Sequence, residues 1–171
     1  MSTIAISEAE FQALRDLIRE RFGIFYDDTK QFLLQSRLQT RLLKCRVADF
    51  QSYHRYLTTS PDRENEWGEL ASVLSNNETY FFRERPQLEV LATDVLDEAL
   101  KGSGRLKVWS SASSTGEEPF TIAMMLTETH RINPSQVTIH ATDLSPRALD
   151  KAATGFYREL SFRATPPEMV Q

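Results

Sequence analysis

The run Val108-Trp109-Ser110-Ser111-Ala112-Ser113-Ser114-Thr115-Gly116-Glu117-Glu118-Pro119-Phe120 carries the densest chemical signal in the chain. An apolar, strand-like start breaks into small residues, and two carboxylates then open a helical pattern. Small residues let a ligand approach the backbone closely. A helix start presents unpaired N–H donors, and the carboxylates add negative charge. The combination suits a ligand with polar edges and a positive centre, such as S-adenosylmethionine with its ammonium and sulfonium. A plainer reading stands beside it: a strand-to-helix turn in which Thr115 and Glu118 form a capping box.

The loop lacks the G-x-G-x-x-G and G-x-x-x-x-G-K-[ST] patterns of dinucleotide and P-loop sites, and the G-x-S-x-G of a hydrolase elbow. Asp143, in Ala141-Thr142-Asp143-Leu144-Ser145, ends the next strand-like segment. In nucleotide-binding α/β folds an acidic residue there accepts hydrogen bonds from ribose hydroxyls; its alternative is an N-cap. Loop and aspartate on consecutive strands point to a nucleoside-type cofactor more specifically than either alone.

Asn76-Asn77-Glu78-Thr79-Tyr80-Phe81-Phe82-Arg83-Glu84 spends three consecutive aromatics between helical segments. It is either a junction docking its rings on a core with Arg83 solvated, or a turn on which Thr79 and Arg83, four apart, face the cofactor. Lys30, Arg37, Arg41 and Lys44 align at helical spacing. The stripe is either a solvated face or a docking strip for an acidic partner. His54, His130 and His140 share no metal-ligand spacing, and Cys45 is the single cysteine, so no metal site is expected.

These residues need elements to hold them. Ser7 to Glu10 has capping-box form, and Phe11, Leu14, Leu17, Ile18 and Phe22 follow at helical spacing up to Gly23. A second helix is predicted over Thr29 to Lys44 with Leu34, Leu38 and Leu42 on one stripe. Phe50, Tyr53 and Leu57 mark a third helix; Trp67, Leu70 and Leu74, after the Pro61 turn, mark a fourth. Leu88, Leu91, Val95 and Leu96 resume a helix that Gly102-Ser103-Gly104 ends as a linker. Leu106 to Trp109 and Val137 to Ala141 read as strands, and Glu117 to His130 as a helix with Ile122, Met125 and Leu126 inward. Ser145-Pro146 reads as an N-cap with proline in the first turn. Strand, helix, strand, helix is the signature of a parallel sheet. Two strands fall short of a doubly wound sheet, so the chain reads as the front portion of a larger protein.

The 171 residues carry a net charge of −4, 40% hydrophobic and 26% charged residues, which indicates a folded chain without a general pull toward nucleic acid. A lone cysteine fits a reducing compartment. Neither a signal peptide nor an apolar run of about 18 residues is present, so the expected setting is the cytoplasm, without membrane insertion.

Taken in order, Asn77 to Glu84, Trp109 to Phe120, Ala141-Thr142-Asp143 and Ala152-Ala153-Thr154-Gly155-Phe156-Tyr157 resemble the CheR family of chemotaxis receptor methyltransferases. Leu17 to Ile24 and Ser36 to Leu42 are similar too, so the likeness runs from about Phe11 to Tyr157. It departs in a serine-rich loop around Ser114, and the family continues well past residue 171. The resemblance implies an α/β protein: a small N-terminal helical bundle (1–75), a connecting segment and helix (76–104), and the first part of a Rossmann-like S-adenosylmethionine-dependent methyltransferase domain (105–171). It implies protein-glutamate O-methylation with S-adenosyl-L-homocysteine as product. Asn77, Thr79, Arg83, Glu118 and Asp143 would contact the cofactor, with Glu118 near its amino-acid portion and Asp143 near the ribose. Arg83 would be the catalytic positioning residue. Lys30, Arg37, Arg41 and Lys44 would face a methyl-accepting chemotaxis receptor, and the protein is expected to be a monomer. The rival expectations are a non-catalytic receptor-binding or cofactor-sensing module and a methyltransferase acting on nucleic acid or a small molecule.

Overall fold

Caps and apolar spacing decide where the helices of the first half lie. In the computed structural model, which describes residues 4–95, 98, 105–128 and 133–169, α1 (Glu8–Phe22) opens on the expected capping box. The Ser7 N–H donates to Glu10 Oε2 at 2.9 Å, and the Glu10 N–H donates to Ser7 Oγ at 3.4 Å. It stops at Gly23, whose φ of 72° is left-handed and free of penalty for glycine. The second helix begins later than its apolar spacing suggests. Asp27 accepts the Thr29 N–H and hydroxyl, which draws Asp28–Lys30 into a 3₁₀ turn, and α2 runs Gln31–Cys45. Asp49 caps α3 (Phe50–Thr59) through the Ser52 N–H at 2.7 Å, and α4 spans Arg63–Leu74.

The chain divides into two compact units, Met1–Ser75 and Asn76–Gln171. In the first, Phe11, Leu14, Ile18, Leu34, Leu38, Leu42, Phe50, Tyr53 and Leu70 are sealed from solvent. Each such apolar side chain contributes ~1.5–3 kcal/mol. Trp67 is buried beside them, edge-on to Phe22 at 5.3 Å.

That core also holds charge, and it corrects the basic stripe. Arg41 is 6% exposed. Its guanidinium donates to both oxygens of Glu66, at 2.9 and 2.6 Å, and to Glu69 at 2.9 Å. The Tyr53 hydroxyl donates to Glu66 at 2.6 Å. Arg37 is half-buried and donates to the Tyr26 hydroxyl at 3.1 Å and to the Leu74 carbonyl. Lys30 stands in the 3₁₀ turn, paired with Asp27 at 3.0 Å. Lys44 alone of the four is an exposed cation on α2. Helical spacing aligns residues along the axis but does not say which way a row faces. Glu66 on α4 decided it.

In the second unit, α5 (Arg85–Val90) gives way to a π-turn over Leu91–Val95. The wider turn shifts the stripe, so Leu88 and Ala92 are buried while Val95 is exposed. The predicted continuation to Leu96 and the Gly102–Gly104 linker lie outside the described residues, as does the helix end predicted at His130. Strand β1 (Leu106–Ser111) pairs in parallel with β2 (Val137–Thr142), in register from Leu106↔Val137 to Ser111↔Thr142. Each strand runs past its predicted end. Leu106, Val108, Val137 and Ile139 cluster with Ile122 and Leu126 of α6 (Glu117–Glu128) and with Leu88 and Ala92. On the other face Trp109 is 71% exposed, its Nε1–H donating to Thr142 Oγ1 at 2.9 Å. Ser145 caps α7 (Pro146–Thr154) through the Ala148 N–H, with Pro146 in the first turn and left-handed Gly155 at the end. Among the described residues no helix is long and apolar enough to cross a membrane.

Candidate functional site at the strand tips

Parallel pairing brings the ends of β1 and β2 together, and the loops leaving them interlock. The Ser114 N–H donates to Asp143 Oδ2 at 2.7 Å, and the Ser145 N–H donates to Asp143 Oδ1 at 2.8 Å. The Ser114 hydroxyl donates to the Asn77 carbonyl at 3.1 Å. Asn77, the β1 loop and Asp143 therefore form one connected chain of bonds. Asp143 is not the helix cap, a role Ser145 fills. It clamps two loops, and a carboxylate with about four lone-pair sites keeps capacity for further hydroxyl donors.

Glu118 is exposed on the first turn of α6 and accepts the Ser110 hydroxyl at 2.7 Å. The Thr115–Glu118 capping box does not form. Thr115 donates instead to Glu117 Oε2 at 2.5 Å, and Glu117 is 1% exposed. Its other oxygen accepts the Ser161 hydroxyl at 3.1 Å. The two neighbouring glutamates thus differ: Glu117 is a sealed anchor, and Glu118 offers its charge at the strand tip.

The backbone is drawn tight here. Among the described residues five non-glycine positions are left-handed, and four lie in these segments: Phe82 (φ 59°), Glu84 (54°), Ala112 (59°) and Ser114 (50°). Each such position costs ~1–3 kcal/mol and persists where its surroundings over-determine it. Gly116 has φ 95°, and a Cβ there would come within 2.9 Å of both Ala152 Cβ and Tyr157 Oη.

The aromatic segment docks its rings: Phe81 and Phe82 are buried. Phe81 stacks on Phe162 at 4.9 Å and meets Tyr157 edge-on at 4.8 Å. Arg83 is exposed and donates to the Glu78 carbonyl at 2.8 Å. Asn77 and Thr79 line a cleft of about 650 Å³ together with Thr115, Glu117, Lys151, Arg158, Ser161 and Arg163. Glu118, Asp143 and Arg83 are not among its lining residues. Arg163 sits 3.8 Å over the Tyr80 ring and reaches Glu78 at 3.4 Å.

Ser161 and the cleft's cations escape the sequence reading, which takes Glu117 and Glu118 alike as charge offered to a ligand, whereas Glu117 is buried. Nothing in periodicity separates a buried glutamate from an exposed neighbour at a helix start. Ser161 lies in a 3₁₀ turn, Glu159–Phe162, that has no apolar repeat. The aromatic pair Phe156-Tyr157 after Gly155 was the available signal.

The donor set fits a nucleoside carrying a positive centre. Asp143 has spare acceptor capacity, and Glu118 is an exposed carboxylate. The Ser113 hydroxyl is buried with no hydrogen-bond partner among the described residues.

Residues 77–171 match the family described as CheR methyltransferase, SAM binding domain, and residues 9–75 match CheR methyltransferase, all-alpha domain. The chain is 36% identical over 168 residues to a chemotaxis protein methyltransferase of Escherichia coli (strain K12), covering 98% of this chain and 57% of that relative. It is 34% identical over 170 residues to a protein of the same name from Salmonella typhimurium (strain LT2), again covering 98% and 57%. With one from Vibrio anguillarum it shares 33% over 172 residues, covering 98% and 62%. The chain thus spans about 57–62% of the length of these relatives.

Proposed function

Because the chain belongs to the CheR methyltransferase family, we propose that it is the donor-binding part of an S-adenosylmethionine-dependent protein methyltransferase that esterifies glutamate side chains of chemoreceptors. One observation carries this reading: Asn77, Ser114 and Asp143 are bonded in series at the strand tips, with Glu118 exposed on the helix turn that follows the loop. The relatives' name, chemotaxis protein methyltransferase, supports methyl transfer in chemotaxis; the receptor as substrate and a cytoplasmic setting are part of the proposal. In this reading 1–75 is the helical domain, 76–104 a connecting segment and helix, and 105–171 the first part of the donor domain.

Bound, S-adenosylmethionine supplies a methyl group on a sulfonium centre. Asp143 would accept the ribose hydroxyls with the lone pairs its two loop bonds leave. Glu118 would face the amino-acid portion, and Asn77 and Thr79 would wall the cleft. A substrate glutamate has a reference pKa of about 4.3, so at neutral pH it needs no base. The chain's own residues therefore have to position and dehydrate. Holding reactants in line supplies roughly 7–11 kcal/mol. Arg83 would attract the substrate carboxylate. Its planar fork also fixes the group's plane. A tighter grip would only stabilise the ground state, so Arg83 positions rather than activates.

Calorimetric titration of S-adenosylhomocysteine into the chain tests donor binding, and methyl transfer to receptor glutamates by a protein of the relatives' full length tests the reaction. Binding that Asp143→Asn and Asn77→Ala both abolish supports the site. A folded chain that binds no S-adenosylhomocysteine defeats it. In the longer protein, Arg83→Ala that leaves binding and turnover intact defeats the role given to Arg83. Binding by the full-length protein without transfer to any receptor glutamate would favour a cofactor-sensing module instead.

A further inference from the structure

Two side chains outside every residue so far assigned to the donor are bonded to the loop that would hold it. The Tyr157 hydroxyl donates to the Thr115 carbonyl at 2.7 Å. The Ser161 hydroxyl donates to the buried Glu117 carboxylate at 3.1 Å. The same stretch is fastened on its other side to the aromatic segment. The Phe81 N–H donates to the Ser161 carbonyl at 2.9 Å, and the Phe81 ring packs against both Tyr157 and Phe162. Residues 157–162 thus tie together the two donor-contacting segments, 77–83 and 114–118.

We propose that Tyr157 and Ser161 are positioning residues that set the shape of the amino-acid end of the donor site. The proposal rests on the donor-binding reading above and extends it. Tyr157 braces the turn from behind. Its hydroxyl stands 2.9 Å from where a Cβ on Gly116 would be, so the left-handed turn at Gly116 leaves room for the tyrosine. Ser161 holds the acid next to Glu118. With Thr115 also on Glu117, both carboxylate oxygens of the buried glutamate are fixed by hydroxyls, one from the loop and one from the brace. Releasing either hydroxyl frees the first turn of α6, on which Glu118 stands, and leaves a buried acceptor without its donor. Neither side chain is asked to touch the reacting atoms.

The test uses Tyr157→Phe and Ser161→Ala in the 171-residue chain. The first keeps the ring against Phe81 and removes only the hydroxyl; the second removes one hydroxyl from a small side chain. Affinity is measured by calorimetry for S-adenosylhomocysteine and for 5′-methylthioadenosine, which lacks the amino-acid portion, with thermal unfolding as control. Each variant should bind S-adenosylhomocysteine about tenfold more weakly, the loss expected for one buried hydrogen bond. Each should bind 5′-methylthioadenosine as the parent chain does. Equal weakening of both ligands would make the brace merely structural and overturn the proposal, as would unchanged affinity for both. A parent chain that binds neither ligand overturns the donor site itself and this proposal with it. A parent chain that binds both, with variants indistinguishable from it, overturns the proposal alone.

Discussion

Arg41 on α2 and Glu66 on α4 face each other inside the helical unit through two parallel hydrogen bonds of 2.9 and 2.6 Å, both side chains almost sealed from water. The pair joins two helices that also meet through leucines and through the bond from Arg37 to the Leu74 carbonyl. Removing one member strands the other charge, so Glu66→Gln and Arg41→Leu should each lower stability by ~3–5 kcal/mol. Replacing both with leucine should restore most of it. Urea unfolding of the three variants reads this directly, and single variants as stable as the parent would contradict it.

Burial alone would raise the Glu66 carboxyl, but the bonds from Arg41, Tyr53 and Cys45 outweigh it and hold the group below its ordinary value of 4.5. A carboxyl depressed by folding contributes stability above its unfolded pKa and loses it as the pH falls through the folded one. The parent chain should therefore lose stability more steeply than Glu66→Gln as the pH drops below about 4.5. Urea midpoints taken at several pH values between neutrality and pH 3 check the slope.

Burial pushes the Cys45 thiol up to about 12, reinforced by its bond to Glu66. The thiolate is the reactive form, so alkylation at pH 8 should be slower than that of a free thiol by at least about tenfold. The rate should recover in urea. With one cysteine in the chain, mass spectrometry after iodoacetamide gives it without ambiguity.

Gly116→Ala places a methyl against Ala152 and the Tyr157 hydroxyl at a φ that side chains resist. The second unit should lose ~1–3 kcal/mol, and donor affinity should fall with it. Calorimetry with S-adenosylhomocysteine at a temperature where the variant is still folded separates the two effects.

The burial of Arg41 changes what a receptor would meet. Of the four cations once aligned, Lys44 is exposed, Arg37 is half-buried and bonded within its own unit, and Lys30 is paired with Asp27. Lys44→Glu in a full-length protein should slow receptor association and flatten its salt dependence. Arg41→Gln should act through stability, with its association rate unchanged per folded molecule. Stopped-flow association at two salt concentrations distinguishes them.

Local chemistry explains what was readable in advance. Ser7 with Glu10 and Ser145 before Pro146 each carry their helix start within a few residues. Leu34, Leu38 and Leu42 carried the buried face of α2 for the same reason. The Asp49 cap of α3, by contrast, was not read from the sequence. The tips of the two strands were legible because Trp109–Phe120 and Ala141–Asp143 hold their signal within a few residues. Arg41 was misread because its partner is 25 residues away on another helix. The Ser161 bond to Glu117 spans 44 positions and leaves no local trace. The π-turn after Val90 likewise answers to packing around Leu88 and Ala92 rather than to a turn residue.

The chain's two tryptophans fall one in each unit, Trp67 dry in the helical core and Trp109 in open solvent on the sheet. The protein thus carries its own pair of optical reporters, one emitting blue and one red. Only the blue one changes environment when the helical half melts. A denaturation curve followed at the blue edge therefore reports the helical half alone, and setting it beside one followed by far-ultraviolet circular dichroism would show whether the two units unfold together or in succession.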